Sequence, residues 1–387
     1  MSKRLDFAAG GELEVWPSDS VLRIQTMEAA MATVWKSTII LFGVLVCVSF
    51  ATHGGTTHAA KPAGAPQAKP AFVIVAHGGA GSYEHMTPEA LEQRRNAMVK
   101  AVSAGYAVLA GGGRSLDAVE ATIRVMEDSG FFDAGRGAYY TQDGVPELDA
   151  SLMDGKTLAV GSVASLKRIA NPIHLARLVM EKTPHVMLVG PGAEEFARSQ
   201  GIELVSPFYF YNERMWEMYQ KAKTAEEKKQ AAELLQNQKH GTVGAVALDQ
   251  AGNLAAGTST GGTEMKLPGR VGDSPIIGAG TYANNASCGI SGTGVGEFYI
   301  RNIVAADICE RVRYLQVSIE KAADDVVMKE LVEQKAEGGV IGLDPMGNAV
   351  TVFNTTGMLT GTVRSDGKIV LKGWSKTAEP MVVPVNK

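Results

Sequence analysis

The sequence predicts an α+β fold in which helices cover the outer faces of paired β-sheets. Three observations lead to this prediction. Helix start signals are frequent in the first half of the folded region, and residues 212–241 form a polar stretch rich in Lys, Glu, Gln and Ala. Short apolar runs joined by glycine-containing turns follow Gly241. Helices packed outside two paired sheets would satisfy this order of elements.

The first predicted elements are a buried strand and a long helix. Residues 72–75 form an apolar run that leads into the glycine-rich sequence 77–81, which is typical of a strand opening into a turn. Thr87 offers a capping side chain and Pro88 fits the first helical position, so a helix is expected from 88 to about 109. The other elements of this half are a helix from Ser115 to Gly130, a helix beginning at Asn171-Pro172 and a buried strand at 186–189.

The polar stretch at 212–241 has little apolar patterning after Tyr219 and therefore predicts a solvated helix or a mobile tether. Beyond it, pairs of apolar runs flank turns of similar sequence and predict two hairpins. The paired runs are 243–248 with 254–260 and 340–343 with 349–353, and helices are expected at 297–309 and 320–334.

Composition and charge narrow the classes of function. The chain has 387 residues, a formal net charge of −4 and no long basic run, so it lacks the electrostatic footprint of a nucleic-acid-binding protein. Its three cysteines form neither a Cys-x-x-Cys motif nor a His/Cys cluster, which argues against a zinc site or a thiol-redox motif. Their spacing leaves open a disulfide between Cys288 and Cys309 in an oxidising compartment.

The region before the fold has the features of a targeting segment at 1–59 and an extended linker at 60–70. An uncharged run at 37–51 follows Lys36; it fits the core of a signal peptide and is short for a membrane span. Cleavage is expected after Ala59, and the alternative is an anchor that is never cleaved. The expected location is therefore periplasmic or secreted, without stable membrane association after the signal is removed.

The dipeptide Gly241-Thr242 indicates a specific chemistry. A threonine hydroxyl is a weak nucleophile, but a cut before it frees an α-amino group of pKa about 7.7–8.0 that can act as a general base on the same residue. The hydroxyl of Thr242 can make this cut by attacking the carbonyl of Gly241, where glycine admits backbone angles that other residues resist. The dipeptide alone would equally fit an ordinary strand residue, so the residues that follow decide the argument.

Two groups of residues after the dipeptide can complete a site. Thr260 ends the second strand of the predicted hairpin, where it can return beside Thr242. Arg270 and Asp273 provide a cation and an anion three residues apart, which would complement the α-carboxylate and α-ammonium of a free amino acid. A salt bridge within a loop is the alternative interpretation of the second pair.

The sequence 291–297 predicts a glycine turn that enters a helix, with backbone N–H groups free to face negative charge. As an oxyanion hole, this turn would stabilise a tetrahedral intermediate by about 2.7–4 kcal/mol for each donor. A dinucleotide-binding loop would instead require a parallel βαβ unit around the glycines, and the sequence does not indicate one.

Together these segments resemble the plant-type asparaginase/isoaspartyl aminopeptidase family of N-terminal-nucleophile (Ntn) hydrolases. The resemblance is carried by 241–249, 258–262, 266–275, 278–283 and 291–294, and in the first half by 77–81, 147–155 and Asn171-Pro172. It implies the αββα four-layer sandwich of that family, self-cleavage into an α chain, 71–241, and a β chain, 242–387, and an (αβ)2 heterotetramer. The implied activity is hydrolysis of L-asparagine and of β-aspartyl (isoaspartyl) peptides, so small molecules and short peptides are the expected partners and no cofactor is required.

The same resemblance implies roles for individual residues. Thr242 would be the nucleophile and the base, and Thr260 would support it. Arg270 and Asp273 would bind the substrate. Thr293 and Gly294 would contact the oxyanion, with Gly296 nearby. The segment 131–138 corresponds to a loop whose carbonyls bind a structural sodium ion in the family. The candidates here are Phe131, Asp133 and Gly135, with Asp133 where the family usually has Asn.

Three alternatives to this function stay open on the sequence alone. The chain could be a glycosylasparaginase, which removes sugar-linked asparagine and differs in loops around the pocket. It could be a non-catalytic exported binding protein, which would stay in one piece. It could also be a nucleotide-binding protein built on the glycine loops.

Overall fold

The structure is a computed structural model that describes residues 72–84, 86–227 and 241–385. The predicted targeting segment 1–59, the linker 60–70 and residues 228–240 of the polar stretch lie outside the described residues. All described residues belong to one compact unit. In this part of the chain, no helix combines the length and the apolar character needed to cross a membrane.

The strands alternate with helices in the first half and lead the second half, as predicted for an α+β fold. The strands are β1 (Val73–Gly81), β2 (Leu148–Asp154), β3 (Val160–Leu166), β4 (Met187–Val189), β5 (Val243–Leu248), β6 (Leu254–Thr260), β7 (Thr281–Ala283), β8 (Gly289–Gly294), β9 (Gly338–Leu343), β10 (Ala349–Phe353), β11 (Gly357–Arg364), β12 (Lys368–Lys372) and β13 (Met381–Pro384). The helices are α1 (Pro88–Ala110), α2 (Ser115–Ser129), α3 (Pro172–Lys182), α4 (Gly190–Ser199), α5 (Glu213–Glu227), α6 (Gly296–Asn302), α7 (Val304–Tyr314) and α8 (Ile319–Asp324), which continues as irregular helix to Glu333.

Within the described residues, the strands form two sheets. The larger sheet has nine strands in the order β13-β12-β11-β1-β5-β6-β2-β3-β4, and the smaller has four in the order β10-β9-β8-β7. Neighbouring strands are antiparallel apart from β3 and β4, which run parallel. The α+β class predicted from the sequence is confirmed.

Three apolar clusters separate the layers of the fold. One cluster packs α1, α2, α3 and α4 on the larger sheet and includes Ile74 and Met126. A second fills the space between the two sheets and includes Val246 and Ile341. A third packs the helices after β8 on the smaller sheet and includes Ile290. Because each strand alternates its side chains between faces, one set of strands can line two clusters, and the layers follow the order helix, sheet, sheet, helix.

The predicted hairpin after Gly241 is formed by β5 and β6 and is fixed at its turn by Asp249. Asp249 Oδ1 accepts hydrogen bonds from the N–H groups of Ala251 and Asn253, both at 2.9 Å. Its Oδ2 accepts the N–H of Ser115 at the start of α2, at 3.0 Å. One carboxylate therefore sets the turn and ties it to a neighbouring helix, which fixes the register of the strands that lead to Thr242.

The glycine-rich sequence 77–81 and the segment 186–189 differ from their predictions. β1 continues through 77–81 as a strand, with a register shift between His77 and Ala80 where it pairs with β11. The small side chains of this sequence allow the strand to lie between two neighbours at close approach. The predicted buried strand at 186–189 is a short edge strand, and Val186 and Val189 are 62% and 54% exposed.

The second half also differs from its predictions in two places. The helix expected at 297–309 is two helices, α6 and α7, because Ile303 adopts a left-handed conformation with φ of 50°. The predicted glycine turn at 291–294 is strand β8. Cys309 on α7 is disulfide-bonded to Cys288 beside β8, so the pairing left open by the sequence is present in the structure.

The start of the polar stretch is a packed helix. α5 buries Met215 and Tyr219 against Tyr139 and Tyr140. Two apolar side chains four residues apart lie on the same helix face, so the first part of this stretch is attached to the fold.

Candidate active site

Thr242 lies at the open end of the β5–β6 hairpin, directly before the first residue of β5. Val243 pairs with Ser259, which places Thr242 next to Thr260 across the hairpin. The Thr242 hydroxyl donates a hydrogen bond to Thr260 Oγ1 at 3.1 Å, and both residues are buried. The hydroxyl is therefore held in one direction by a neighbour whose position the strand register determines.

A buried carboxyl group ends this line of hydroxyls. Thr260 Oγ1 accepts the N–H of Gly262 at 2.9 Å and donates to Asp133 Oδ2 at 3.4 Å. The other carboxyl oxygen, Oδ1, accepts the N–H of Tyr139 at 2.9 Å. Burial raises the pKa of Asp133 to about 7, although the Tyr139 hydrogen bond opposes the shift. The site thus contains a carboxyl group that can exchange a proton near neutral pH.

The peptide bond before Thr242 is in close contact with two backbone segments. The N–H of Asp133 donates to the carbonyl oxygen of Gly241 at 3.0 Å. Gly79 lies against the same residue: a Cβ at position 79 would lie 2.7 Å from Gly241 Cα, and the φ of Gly79 is +98°. Position 79 therefore requires glycine both for its backbone conformation and for this approach.

A chain of buried polar side chains joins the two sheets next to Thr242. His77 Nε2 lies 3.1 Å from Ser291 Oγ, which lies 2.7 Å from Thr258 Oγ1. The Thr281 hydroxyl donates to Thr258 Oγ1 at 2.6 Å, and the Ser151 hydroxyl donates to Thr281 Oγ1 at 2.9 Å. Burial lowers the pKa of His77 to about 3, against the opposing effect of its hydrogen bond to the Thr242 backbone. His77 is therefore neutral at ordinary pH and fixes the strand ends around Thr242.

Arg270, Asp273 and Gly296 come together at the start of α6. A Cβ on Gly296 would lie 2.9 Å from Arg270 Nη2 and 3.0 Å from Asp273 Oδ1. Arg270 forms two hydrogen bonds with Glu297, at 3.0 and 2.9 Å, so its ion-pair partner is Glu297 rather than Asp273. Asp273 is 4% exposed, and its Oδ2 has no hydrogen-bond partner among the described residues. Burial raises the pKa of Asp273 to about 7, with Arg270 opposing the shift.

Thr293 and Gly294 connect these two parts of the site. Thr293 Oγ1 accepts the N–H of Ala80 at 3.2 Å, and Ala80 follows the glycine that packs on Gly241. Gly294 is the last residue of β8, and a Cβ there would lie 2.6 Å from the carbonyl oxygen of Glu337. Both residues lie in an antiparallel sheet, so this glycine-rich sequence differs from the strand-to-helix phosphate loop of a parallel βαβ unit.

Several oxygen atoms of the loop expected to bind sodium accept hydrogen bonds within the protein. Asp133 accepts hydrogen bonds at its main-chain carbonyl, from Gly261 at 3.2 Å, and at both carboxyl oxygens. The carbonyl of Gly135 accepts the N–H of Ala138 at 3.2 Å. Each carbonyl oxygen has two lone pairs, so one hydrogen bond leaves room for a cation, and the sodium site at Phe131, Asp133 and Gly135 stays a prediction. No group of three or more His, Cys, Asp or Glu side chains suited to a metal ion occurs among the described residues.

A cavity of about 330 Å³ adjoins Gly241. Its lining includes Asp133 and Tyr139 from the loop after α2, Arg94 from α1 and Arg214 from α5. The sequence interpretation missed both arginines because they belong to two helices distant in sequence, and it missed His77 as a polar residue inside an apolar strand. The sequence did single out Asp133, because the family usually has Asn at this position, but assigned it to the sodium site. In the structure its carboxyl group contacts Thr260.

Comparison with known proteins identifies one family. The model of a family described as Asparaginase matches residues 70–371. The isoaspartyl peptidase of Salmonella typhimurium is 46% identical over 291 residues, covering 74% of this chain and 93% of that protein. The isoaspartyl peptidase of Escherichia coli is 46% identical, and the match covers 74% of this chain and 91% of that protein. The isoaspartyl peptidase/L-asparaginase of Rattus norvegicus is 41% identical, and the match covers 77% of this chain and 87% of that protein.

The predicted periplasmic or secreted location is wrong. The enterobacterial and mammalian enzymes that resemble this chain are cytosolic. The apolar run at 37–51, on which the prediction depended, lies before the region matched by the family model. Length and hydropathy of such a run are typical of a signal peptide but do not establish export.

The family match extends from two residues before the described fold to β12 and includes every predicted site residue. The resemblance inferred from the sequence is therefore confirmed, and so is the prediction that the protein is an enzyme. The chain belongs to the asparaginase family and is a hydrolase.

Proposed function

We propose that the chain cuts itself between Gly241 and Thr242 and then hydrolyses L-asparagine and β-aspartyl peptides with Thr242 as the nucleophile. One observation carries this proposal: the Thr242 hydroxyl contacts Thr260 at 3.1 Å beside a Gly241 carbonyl that already accepts the Asp133 N–H. The names of the relatives, isoaspartyl peptidase and isoaspartyl peptidase/L-asparaginase, support the choice of substrates.

Self-cleavage would begin with attack of Thr242 Oγ1 on the carbonyl carbon of Gly241. The hydroxyl proton leaves toward Thr260, negative charge develops on the Gly241 oxygen, and the Asp133 N–H stabilises that charge. The C–N bond then breaks, nitrogen takes a proton, and Gly241 is joined to Thr242 Oγ1 by an ester. Water hydrolyses the ester, which leaves a carboxylate on Gly241 and a free α-amino group on Thr242.

Hydrolysis of a substrate would repeat this chemistry with the new amino group as base. The α-amine takes the proton of Thr242 Oγ1, the oxygen attacks the β-carbonyl of the substrate, and the substrate's amine leaves with a proton. Water then attacks the β-aspartyl ester and releases aspartate. Thr293 and Gly294 are the proposed contacts of the oxyanion, because Thr293 links through Ala80 to the backbone that packs on Gly241 and Gly294 follows it in β8.

Asp273 and Arg270 are the proposed selectors of the aspartyl group. The partnerless Asp273 Oδ2 is buried and suits an α-ammonium group, since an unsatisfied buried acceptor gains most from a charged donor. Arg270 presents a guanidinium that can donate two hydrogen bonds to an α-carboxylate in place of Glu297. Gly296 leaves the space between them open, because any side chain there would meet both groups.

The proposed assembly is an (αβ)2 heterotetramer acting on small molecules and short peptides, without a cofactor in the reaction. Sedimentation of the purified protein tests the assembly. A mass of one αβ unit at micromolar concentration would contradict it.

The test of the function compares wild type with Thr242→Ala and Thr242→Ser. Wild type should give two chains on a denaturing gel, with Thr242 as the first residue of the smaller, and should release aspartate from asparagine and β-aspartyl dipeptides. Thr242→Ala should stay in one piece and be inactive, whereas Thr242→Ser keeps a hydroxyl and should still cut. Cleavage and wild-type aspartate release by Thr242→Ala would refute the proposal.

The same preparations discriminate the alternatives. Hydrolysis of a glycosylated asparagine without hydrolysis of β-aspartyl dipeptides would identify a glycosylasparaginase. A wild-type chain that stays intact and inactive would favour a non-catalytic binding protein. Thermal stabilisation by a nucleotide would favour the nucleotide-binding alternative.

A further inference from the structure

The cavity beside Gly241 is lined by two arginine side chains, Arg94 and Arg214, and by one carboxyl group, that of Asp133. Arg94 Nη1 contacts Met86 Sδ at 3.3 Å, and Arg214 Nη2 donates to the carbonyl of Gly130 at 3.4 Å. Neither arginine forms an ion pair with any described residue. By contrast Arg95, the next residue on α1, pairs with Glu92 at 3.1 Å.

The two cations also disfavour each other. Burial lowers the pKa of Arg94, and burial together with the nearby Arg94 lowers the pKa of Arg214, although Tyr139 and Asp133 oppose the second shift. Arg94 is half-buried and Arg214 is exposed, and two like charges held near one another favour the binding of an anion between them. An arrangement of this kind beside a reacting bond indicates that an anionic ligand group occupies the cavity during the reaction.

The position of the cavity relative to the scissile bond indicates which anion fits. The cavity ends at Gly241, next to the proposed nucleophile, whereas Arg270 and Asp273, the proposed selectors of the aspartyl group, are reached from Gly241 through Ala80, Thr293 and β8. A β-aspartyl dipeptide carries two carboxylates, one on the aspartyl group and one on the amino acid that departs. Asparagine lacks the second, because its leaving group is ammonia.

We propose that Arg94 and Arg214 form a subsite for the α-carboxylate of the departing amino acid of β-aspartyl peptides. This inference rests on the proposed function and adds to it a preference for isoaspartyl peptides over free asparagine. The remaining lining is largely apolar and includes Met86, Phe132 and Met218. Methionine side chains adapt to ligands of varied shape, so the subsite suits a departing amino acid with an apolar side chain.

The experiment measures kcat/KM of wild type, Arg94→Met, Arg214→Met and the double variant on three substrates. These are β-aspartyl-leucine, the same dipeptide with its C-terminal carboxylate converted to an amide, and L-asparagine. Loss of one charge-assisted hydrogen bond predicts a fall of about 10- to 100-fold on β-aspartyl-leucine, mainly through KM. Values on the amide and on asparagine should change by less than about twofold, and Arg95→Met, the matched control, should leave all three values unchanged.

Two outcomes would overturn the proposal. Unchanged kcat/KM of the double variant on β-aspartyl-leucine would show that the arginines do not bind this carboxylate. An equal fall on all three substrates would indicate a structural role or binding of the new Gly241 carboxylate, and slower self-cleavage on a gel would distinguish the latter. Failure of the proposed function would look different, because wild type would then hydrolyse none of the three.

Discussion

Glu127 lies beneath the candidate site and makes the stability of the fold depend on pH. Its carboxyl group is buried on α2, where Oε1 accepts the Ser259 hydroxyl at 2.7 Å and the N–H of Ile173 at 3.1 Å. Its Oε2 has no partner among the described residues. Burial raises the pKa from 4.5 to about 8. The unfolded chain therefore loses this proton near pH 4.5 while the folded chain retains it. The contribution of Glu127 to the free energy of unfolding is fully present below pH 4.5 and is lost as the pH rises to about 8.

The size of the effect follows from the pKa difference. Each pKa unit corresponds to about 1.36 kcal/mol, so one group that stays protonated in the fold costs roughly 4 kcal/mol between pH 5 and pH 8. Glu127→Gln keeps an acceptor for Ser259 and removes the titration. The free energy of unfolding of the variant should therefore fall less than that of the parent over this range, by up to that amount.

Urea unfolding at pH 5, 6, 7 and 8 measures this difference. Both proteins carry Thr242→Ala so that one uncut chain unfolds. Asp133 and Asp273, whose pKa values are also raised, are present in both and cancel in the comparison. Glu195, whose side chain is 74% exposed, provides the control variant Glu195→Gln, which should follow the parent. Equal pH slopes for parent and Glu127→Gln would refute the reasoning.

Two further predictions concern the backbone at the cut and the disulfide. In Gly79→Ala the new methyl group would lie 2.7 Å from Gly241 Cα, at a φ of +98°, so the uncut chain should accumulate on a gel. Gly112→Ala is the control for backbone conformation alone, because Gly112 has a φ of +80° and a Cβ there would meet nothing within 4 Å. Normal cleavage by Gly79→Ala would contradict this reasoning. Reduction of the Cys288–Cys309 disulfide, which joins residues 21 positions apart, should lower the free energy of unfolding by about 3 kcal/mol. Urea curves that coincide with and without reductant would show that the bond does not stabilise the fold.

Local patterns predicted the hairpin that carries Thr242. Apolar runs on either side of a turn predicted β5 and β6, and a hairpin of this register brings Thr260 back to Thr242. The start of α1 was predictable for a similar reason, since Thr87 Oγ1 accepts the N–H of Ala90 at 3.2 Å as a capping residue does. Each of these features depends on residues close together in sequence.

Features that depend on distant segments were not predictable. Whether 77–81 continues as a strand is decided by β5 and β11 on either side of it. The break at Ile303 has no glycine or proline to announce it. Arg94 and Arg214 lie 120 positions apart and meet only because α1 and α5 border one cavity. The contact of Asp133 with Thr260 likewise needs the loop after α2 to reach the end of β6.

The order of strands in the larger sheet determines what a cut before Thr242 would do to the molecule. β1 from the first fragment lies between β11 and β5 of the second, and β5 and β6 lie between β1 and β2 of the first. Neither fragment could leave without breaking ladders on both sides, so the two pieces would stay interleaved as one body. The newly exposed amine would then stand at the end of an interior strand, as immobile as the sheet itself, instead of on a frayed chain end.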